Sequence, residues 1–417
     1  MKTGFAQKLP FHYGWLIVFA GGLSIFACIG LARFSLGMLL PSMGVSLSLS
    51  YAEMGYIGTG NFIGYLVGIV GAPYLMAKTG ARMATVLGLA GTAATLGLIS
   101  LVNGFLPLFL LYSVSGIAAA TSNLPVMVLV SKWFHSRRRG LAAGLIISNN
   151  SFAIMLLGAT VPLINDSFGS DGWRYAWAFL GVISALVAGI AWAFLRNSPQ
   201  EIGLLAYGST ATVSGSDVPH PPERDIKPAL YRKTILHLGL LYFLFGATYM
   251  IYGTFIVTTL VREYGFSEQH AGTMWSWVGF ACLFSGPVIG ALSDKIGRSK
   301  GLLVVFVIHM IAYSLVGLKS GETGLYISVI LYGLVLFSIP TIMTAAAGDY
   351  LGPARAAAGF SAITLIFGLG QIAGPALGGV MAEISGSFSS SYLLSAGLMA
   401  LGIIGAFFLK PPEKEND

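Results

Sequence analysis

Twelve apolar runs, separated by polar connections that are mostly short, dominate this chain of 417 residues. They fall at about 12–40, 51–77, 83–102, 105–132, 139–165, 172–195, 231–261, 268–292, 300–318, 323–348, 355–383 and 390–409. Each is near or above the roughly 20 residues that cross the hydrocarbon of a bilayer as a helix. A spanning segment has no water for its backbone, and a helix satisfies its own N–H and C=O groups. The alternation of polar and apolar residues that marks barrel strands is absent. Charged residues are only 9% of the chain, against about 25% in soluble domains. The first run is long, is followed by further spans and lacks a small-residue cleavage site. It reads as a retained helix, not a signal peptide.

Basic residues fix the orientation. With the N-terminus inside, the inner loops hold Lys2, Lys8, Lys78, Arg82, Lys132, Arg137, Arg138, Arg139, Arg196, Arg224, Lys227, Arg232, Lys233, Lys295, Arg298, Lys300, Arg355, Lys410 and Lys414, which is 19 of 23. The outer loops and adjoining span ends hold Arg174, Arg262 and Lys319, and Arg33 alone lies deep within a span. This asymmetry puts both termini in the cytoplasm. It also explains the net charge of +7 as topology and not as a nucleic-acid surface. Cys28 and Cys282, the two cysteines, sit in separate apolar runs. They read as packing residues and suggest neither a disulfide nor a metal site. No metal and no cofactor is expected.

The two halves of the chain repeat each other. Gly80 and Gly297 are 217 apart, Arg139 and Arg355 are 216 apart, and Pro125 and Pro340 are 215 apart. FLRNSP at 194–199 matches FLKPP at 408–412. The expected organisation is an N-terminal six-helix bundle over 1–195, a cytoplasmic linker loop over 196–230 and a C-terminal six-helix bundle over 231–417. The linker carries GSTATVSGSDVPHPPERDIKP, rich in Gly, Ser and Pro. Repeated halves of this kind mark secondary transporters, with the substrate near mid-membrane.

Three stretches sharpen this. Between spans 8 and 9 stands G290-A-L-S-D-K-I-G-R-S-K300. Its first-half counterpart, P73-Y-L-M-A-K-T-G-A-R82, keeps Lys78, Gly80 and Arg82 but has Ala77 in the acidic position. K132-W-F-H-S-R-R-R-G-L-A-A-G144 lies between spans 4 and 5. The first resembles the loop motif of the major facilitator superfamily. The last is similar to monocarboxylate-transporter-like and oxalate/formate-exchanger-like members. N61-F-I-G-Y-L-V-G68, Y249-M-I-Y-G-T-F255 and G370-Q-I-A-G-P-A-L-G-G379 resemble the YbfB/YjiJ-like bacterial group. The resemblance implies an all-α membrane protein, with twelve transmembrane helices in two pseudo-twofold related six-helix bundles. It implies a central cavity lined by spans 1, 4, 7 and 10 and rocking motions that give alternating access. It also implies a conformational latch on Gly290, Asp294, Gly297, Arg298 and Arg355, with Gly80 and Arg82 in the first half. Asp294 is expected to cap a helix N-terminus or to pair with a basic residue, for which Arg355 is the candidate.

Arg33 is the anomaly. An Arg at the centre of a spanning helix costs roughly 2.5–3.5 kcal/mol on insertion scales, and no acidic residue lies within a turn or two. It stands eight residues before Pro41, near mid-membrane, with Gly30 and Gly37 on its face. In superfamily members that carry phosphate esters, an Arg at a similar distance before a Pro binds the anion, and the resemblance carries that role to Arg33. The alternative is an Arg snorkelling outward or bonded to helix carbonyls. Other polar residues at that depth are Asn61, Tyr65, Asn123, Asn149 and Asn150 in the first half. In the second they are Tyr249, Tyr252, Trp275, Thr341 and Gln371. For each, interhelical bonding or packing is the alternative to binding.

A pocket of this kind, one cation among amides and aromatics, suits a small organic anion such as a carboxylate. The expected partners are that substrate, the lipid bilayer and, as a coupling ion, protons; a monomer is expected. No Asp or Glu lies in the middle of a span, so a proton would travel with the substrate, anions would be exchanged, or the protein would be a uniporter. The rival is an efflux antiporter for amphipathic compounds. A transporter-like sensor would signal through a partner, which with short tails only the 35-residue middle loop, 196–230, could host. No nucleophile–base pair, HExxH or phosphate-binding loop is present, so the chain reads as a non-enzyme.

Overall fold

The computed structural model describes residues 10–208, 228–352 and 355–409. Most of the polar stretch expected as a linker, 209–227, lies outside the described residues. So do Lys2, Lys8, Arg224, Lys227, Lys410 and Lys414 of the orientation argument. The described residues form helices joined by short connections, with one isolated bridge between Phe134 and Tyr207.

The order is α1 (Gly14–Ile25), a π-turn (Phe26–Leu31), α2 (Ala32–Ser46), α3 (Tyr51–Ile99), α4 (Phe105–Trp133), α5 (Ser136–Ile147), α6 (Asn149–Phe168) and α7 (Gly172–Phe194). There follow α8 (Pro228–Arg262), α9 (Glu268–Ile296), α10 (Arg298–Gly317), α11 (Gly321–Val335), α12 (Ser338–Leu351), α13 (Ala356–Ser385) and α14 (Ser389–Phe407). Ten helical stretches among the described residues are long and apolar enough to cross a membrane. One of them is the 49-residue α3, which is broken at Gly80, where φ is 81° and ψ 161°. Another, Arg138–Phe194, runs through α5, α6 and α7.

The residues form two compact units, Met1–Leu49 with Gly60–Gly215, and Ser50–Thr59 with Ser216–Asp417. The start of α3 thus groups with the second unit. It is set by a reciprocal cap, in which Ser50 N–H donates to Glu53 (2.9 Å) and Glu53 N–H donates to Ser50 Oγ (3.1 Å). Thr59 Oγ1 then donates to the Ile372 carbonyl (2.7 Å) on α13.

Within each unit the helices meet through small residues. In the first, α3 and α4 approach so closely that a Cβ on Gly64 would fall on the Ser113 carbonyl, and one on Gly116 on the Asn61 carbonyl. In the second, α8 and α13 meet likewise, with Gly374 against the Ala247 carbonyl. Lipid tails are as apolar as leucine, so dispersion at short range replaces the hydrophobic effect as the adhesive.

The expected repeat is visible in the inner loops. Gly80 and Gly297 share the same backbone conformation, φ 93° and ψ 155° at the latter, a region open essentially to glycine alone. After Gly80, Arg82 Nη2 donates to the Trp192 carbonyl (2.5 Å). After Gly297, Ser299 Oγ donates to the Ala406 carbonyl (2.6 Å). Arg82 and Ser299 are equivalent positions, as are Trp192 and Ala406 to within the repeat offset. Each unit therefore ties its loop to the end of its last helix.

The close approach predicts a contrast between two glycines of one helix. Gly64→Ala should lower the melting temperature of purified protein by the equivalent of roughly 1–3 kcal/mol or more. Gly71→Ala, where a Cβ meets nothing within 4 Å, should stay within about 0.5 kcal/mol. Equal effects in a thermal melt would refute the packing account.

Candidate functional site

Arg33 is the second residue of α2 and follows the π-turn directly. A π-turn closes i to i+5 bonds and accommodates one extra residue, and such turns recur where a helix carries function. Its outer face is accepted by α6. Gly30 packs against Ala153, and a Cβ there would stand 3.5 Å from Asn150 Oδ1. Tyr112 of α4 fixes the backbone at the junction. Its hydroxyl donates to both the Ala32 and the Arg33 carbonyls, at 3.0 Å each.

The guanidinium is turned inward and only 9% of the residue is exposed. It lies over two rings of α3, with its central carbon 4.6 Å from the centroid of Phe62 and 4.7 Å from that of Tyr65. Phe62 and Tyr65 are three residues apart and share a helix face. Each cation–π contact contributes about 0.5–2 kcal/mol when desolvated. Two of them offset much of the insertion cost. They do not satisfy the N–H groups, because a ring face accepts charge without completing a directional hydrogen bond. Nε and Nη2 are buried and have no hydrogen-bond partner. A buried donor left in this state costs about 1–3 kcal/mol, more when charged. No carboxylate pairs with Arg33 among the described residues. The absence of any partner excludes carbonyl bonds at Nε and Nη2, and the guanidinium lies against α3 and not along its own helix.

The neighbouring amides divide into two kinds. Asn123 Nδ2 donates to the Tyr65 hydroxyl (2.6 Å), which leaves the phenolic hydrogen free to donate in turn. Asn150, 5% exposed, keeps its Oδ1 buried and without a partner. Asn61 and Asn149 spend their Nδ2 groups elsewhere, although Asn61 Oδ1, like Asn150 Oδ1, is buried without a partner. Asn61 Nδ2 donates to Ser115 Oγ (2.9 Å) and to the Tyr112 carbonyl (3.2 Å), bonding α3 to α4. Asn149 Nδ2 donates to the Leu145 carbonyl (2.8 Å) and packs on Gly22. The structure thus brings Arg33, Tyr65 and Asn123 together, places Asn150 beside Gly30, and gives Asn61 a bonding role between helices. Phe62 and Tyr112 belong to the site although neither stood out in the sequence. The spacing of Phe62 from Tyr65 in NFIGY was the available signal.

In the second unit, Gln371 Nε2 on α13 donates to the Tyr249 hydroxyl on α8. Tyr249 stacks on Phe245 (4.7 Å between centroids), and Phe367 stacks on Tyr242 (4.0 Å), forming an aromatic wall. Tyr252 faces elsewhere. It is fully buried, stacked on Tyr332 at 4.1 Å and bonded to Ser328 Oγ at 2.9 Å. Three residues separate it from Tyr249, and that rotation carries it into the packing of α10, α11 and α14. Trp275 is buried at 1% exposure, and the exposed Thr341 returns its hydroxyl to the Phe337 carbonyl (2.9 Å). His309 lies among Phe245, Tyr313 and Tyr332, with Nδ1 at 3.1 Å from the Val305 carbonyl.

The latch residues take a pairing different from the one expected. Asp294 is met by Arg298 (2.5 Å), which also binds Asp349 (2.6 Å). Arg355 lies instead over the Tyr231 ring, 5.7 Å from its centroid. Positions i and i+4 across the Gly297 break let Arg298 reach Asp294 first. Gly290 packs beside Thr341. In the first unit, where Ala77 replaces the acid, the Arg82 N–H takes Asn197 Oδ1 (2.9 Å) as its acceptor.

The family model described as "Uncharacterised MFS-type transporter YbfB" matches residues 25–406. The chain belongs to this family of major facilitator transporters. It is similar to the hexuronate transporter of Bacillus subtilis (strain 168), 23% identical, covering 91% of each chain. It is similar to monocarboxylate transporter 2 of Mesocricetus auratus, 24% identical over 95% of this chain and 83% of the other. It is also similar to a quinolone resistance transporter of Acinetobacter baumannii, 25% identical over 89% and 88%. Among solved structures, a D-xylose–proton symporter aligns with a TM-score of 0.75 at 15% identity, covering 96% of this chain and 98% of that one. The fold is that of a multi-pass major facilitator, and its relatives carry organic anions among other solutes.

If the rings hold the cation, removing both should cost less than the sum of the parts. A cycle of Arg33→Gln and Phe62→Leu should give a coupling of about 0.5–2 kcal/mol in chemical or thermal unfolding. Strict additivity would mean that ring and cation do not interact.

Proposed function

We propose that this family member is a secondary active transporter for a small organic anion, a carboxylate in particular, with Arg33 as the anion-binding residue. The supporting observation is the pair of buried, partnerless N–H groups on Arg33. A carboxylate accepts two such bonds in a planar fork that matches a guanidinium. The Tyr65 hydroxyl, already accepting from Asn123, offers a further donor. The hexuronate and monocarboxylate carriers among the relatives are named for carboxylates, which favours this class.

On this reading the chain crosses a bacterial cytoplasmic membrane twelve times as a monomer, both termini inside. The break at Gly80 divides α3 into two spans, and the turn at 169–171 separates α6 from α7. Two six-helix bundles, 1–195 and 231–417, rock about the bound anion, joined by the linker 196–230. Gly290, Asp294, Gly297, Arg298, Arg355, Gly80 and Arg82 act at the inner loops as the conformational latch. The aromatic wall of Tyr249, with Gln371, contacts the body of the substrate. Among the described residues no acidic side chain stands mid-helix, so a coupled proton would ride on the substrate. The aromatic wall and the quinolone resistance relative favour, as a second reading, efflux of amphipathic compounds.

Thermal shift of purified protein separates the two. Millimolar carboxylates should raise the melting temperature of wild type. Arg33→Gln should weaken binding about a hundredfold, the equivalent of two charge-assisted hydrogen bonds. A wild type that no carboxylate stabilises, or a variant that responds equally, would overturn the anion reading. Stabilisation of both by uncharged amphiphiles would support efflux.

A further inference from the structure

Residues 196–208 open the polar stretch expected as a linker, yet they fold back on the first unit. A 3-10 turn over Pro199–Ile202 reverses the chain, and the Leu204 N–H closes it on the Pro199 carbonyl (3.0 Å). The strap then pairs with the turn after α4. The Tyr207 N–H donates to the Trp133 carbonyl (2.8 Å), and the His135 N–H donates to the Tyr207 carbonyl (3.0 Å). The Tyr207 ring packs on Phe134 and Trp15, with centroids 5.7 and 5.6 Å away. A linker that served only as a tether would need none of these contacts.

His12, half-buried just before α1, ties the strap to that helix. Its Nδ1 accepts the Gly14 N–H (3.1 Å), and its Nε2 lies 3.1 Å from the Leu205 carbonyl. A backbone N–H can only donate, so Nδ1 holds the lone pair and Nε2 donates its hydrogen to Leu205. One neutral tautomer satisfies both partners. A proton added at Nδ1 would set two donors face to face and break the bond to Gly14. That N–H belongs to the first turn of α1, where the helix itself supplies no acceptor.

The surroundings do not compensate. The charged and titratable groups on the segments around His12 are Lys132, His135, Arg138 and Arg139 at the α4–α5 turn, Arg82 on α3, Tyr13 before α1, and Arg196, Glu201 and Tyr207 on the strap. Glu201, the one acid among them, accepts the Asn197 N–H (3.0 Å). No carboxylate pairs with His12 among the described residues. A proton on Nδ1 therefore meets a backbone donor and a basic edge. Histidine ordinarily changes charge between about pH 5 and 8. We propose that His12 is a pH-sensitive clasp, whose neutral imidazole holds residues 203–208 against the ends of α1 and α4 and whose protonation releases them. The clasp does not depend on the anion reading. On the topology proposed above it faces the cytoplasm, so acid inside the cell would free the inner ends of two cavity-lining helices.

The test is amide hydrogen exchange by mass spectrometry on the full-length protein, at about pH 8 and about pH 5, with rates corrected for the intrinsic pH dependence of exchange. In wild type, protection of the peptides holding the Tyr207 and His135 amides should fall about fivefold to tenfold on acidification, the loss of roughly one hydrogen bond. His12→Asn keeps an acceptor for the Gly14 N–H and cannot take the proton, so its protection should stay level; His12→Gln serves if the asparagine variant does not fold. His135→Gln, which removes the other histidine at this edge, should respond as wild type does. Protection that stays level in wild type would overturn the proposal, as would a rise, which attraction of an imidazolium to the Tyr207 ring would give. A fall that persists in the His12 variants, that vanishes in His135→Gln, or that is equally large in α7 would also overturn it.

Discussion

The contact between α3 and α4 is the constraint on which the first unit depends. Gly64 and Gly116 lie on each other's helix backbone, and Asn61 bonds across the same seam to Ser115 and to the Tyr112 carbonyl. With that face of α3 fixed, Phe62 and Tyr65 have one direction left, and it is toward α2. With α4 fixed, Tyr112 reaches the carbonyls of Ala32 and Arg33 and sets where the guanidinium begins. The cation is therefore not simply tolerated in an apolar bundle. Two helices locked by small residues hold the rings and the hydroxyl that receive it.

What the rings supply is charge stabilisation, and what they leave open is geometry. A guanidinium has five N–H donors in a rigid fork, and an aromatic face engages none of them fully. The cation can thus be stable enough to fold around and still be reactive toward an acceptor. A carboxylate at the same place would have completed the fork and closed the site. With no carboxylate within the span, the fork of Arg33 stays open. The loop pairs Arg298–Asp294 and Arg298–Asp349 show the other outcome, with one cation satisfied by two acids at a helix start.

Several elements were legible before any coordinate. Bilayer-length apolar runs and the inner-loop basic residues are local or additive signals, and bilayer physics makes them nearly sufficient for an all-helical fold. Arg33 stood out for the same reason, as a charge where none is affordable. Tyr65, Asn123 and Asn150 were readable as polar groups at its depth. Asn61 and Tyr252 had the same credentials, and the structure turns one into a bond between helices and the other into an aromatic core. Depth along a helix follows from counting residues, whereas facing depends on how each helix is rolled against its neighbours. Phe62 carries only the weak signal of its three-residue spacing from Tyr65, since an apolar ring in an apolar run does not stand out until a cation lies above it. Arg355 was expected at Asp294 because both belong to one motif, but Arg298 is nearer once Gly297 breaks the helix.

The sequence by itself determined that this chain is a repeated, helical membrane protein with one basic residue deep in its spans, because those properties depend only on composition along the chain. Tertiary structure decided which polar atoms are spent on holding helices together and which are left without partners. It gave the Tyr65 hydroxyl to Asn123 and the Asn61 Nδ2 to Ser115, and it left Arg33 Nε and Nη2, Asn61 Oδ1 and Asn150 Oδ1 without partners. Hydrogen bonds join groups that are distant in the chain, so only the packing of helices can say which of them remain available to a substrate.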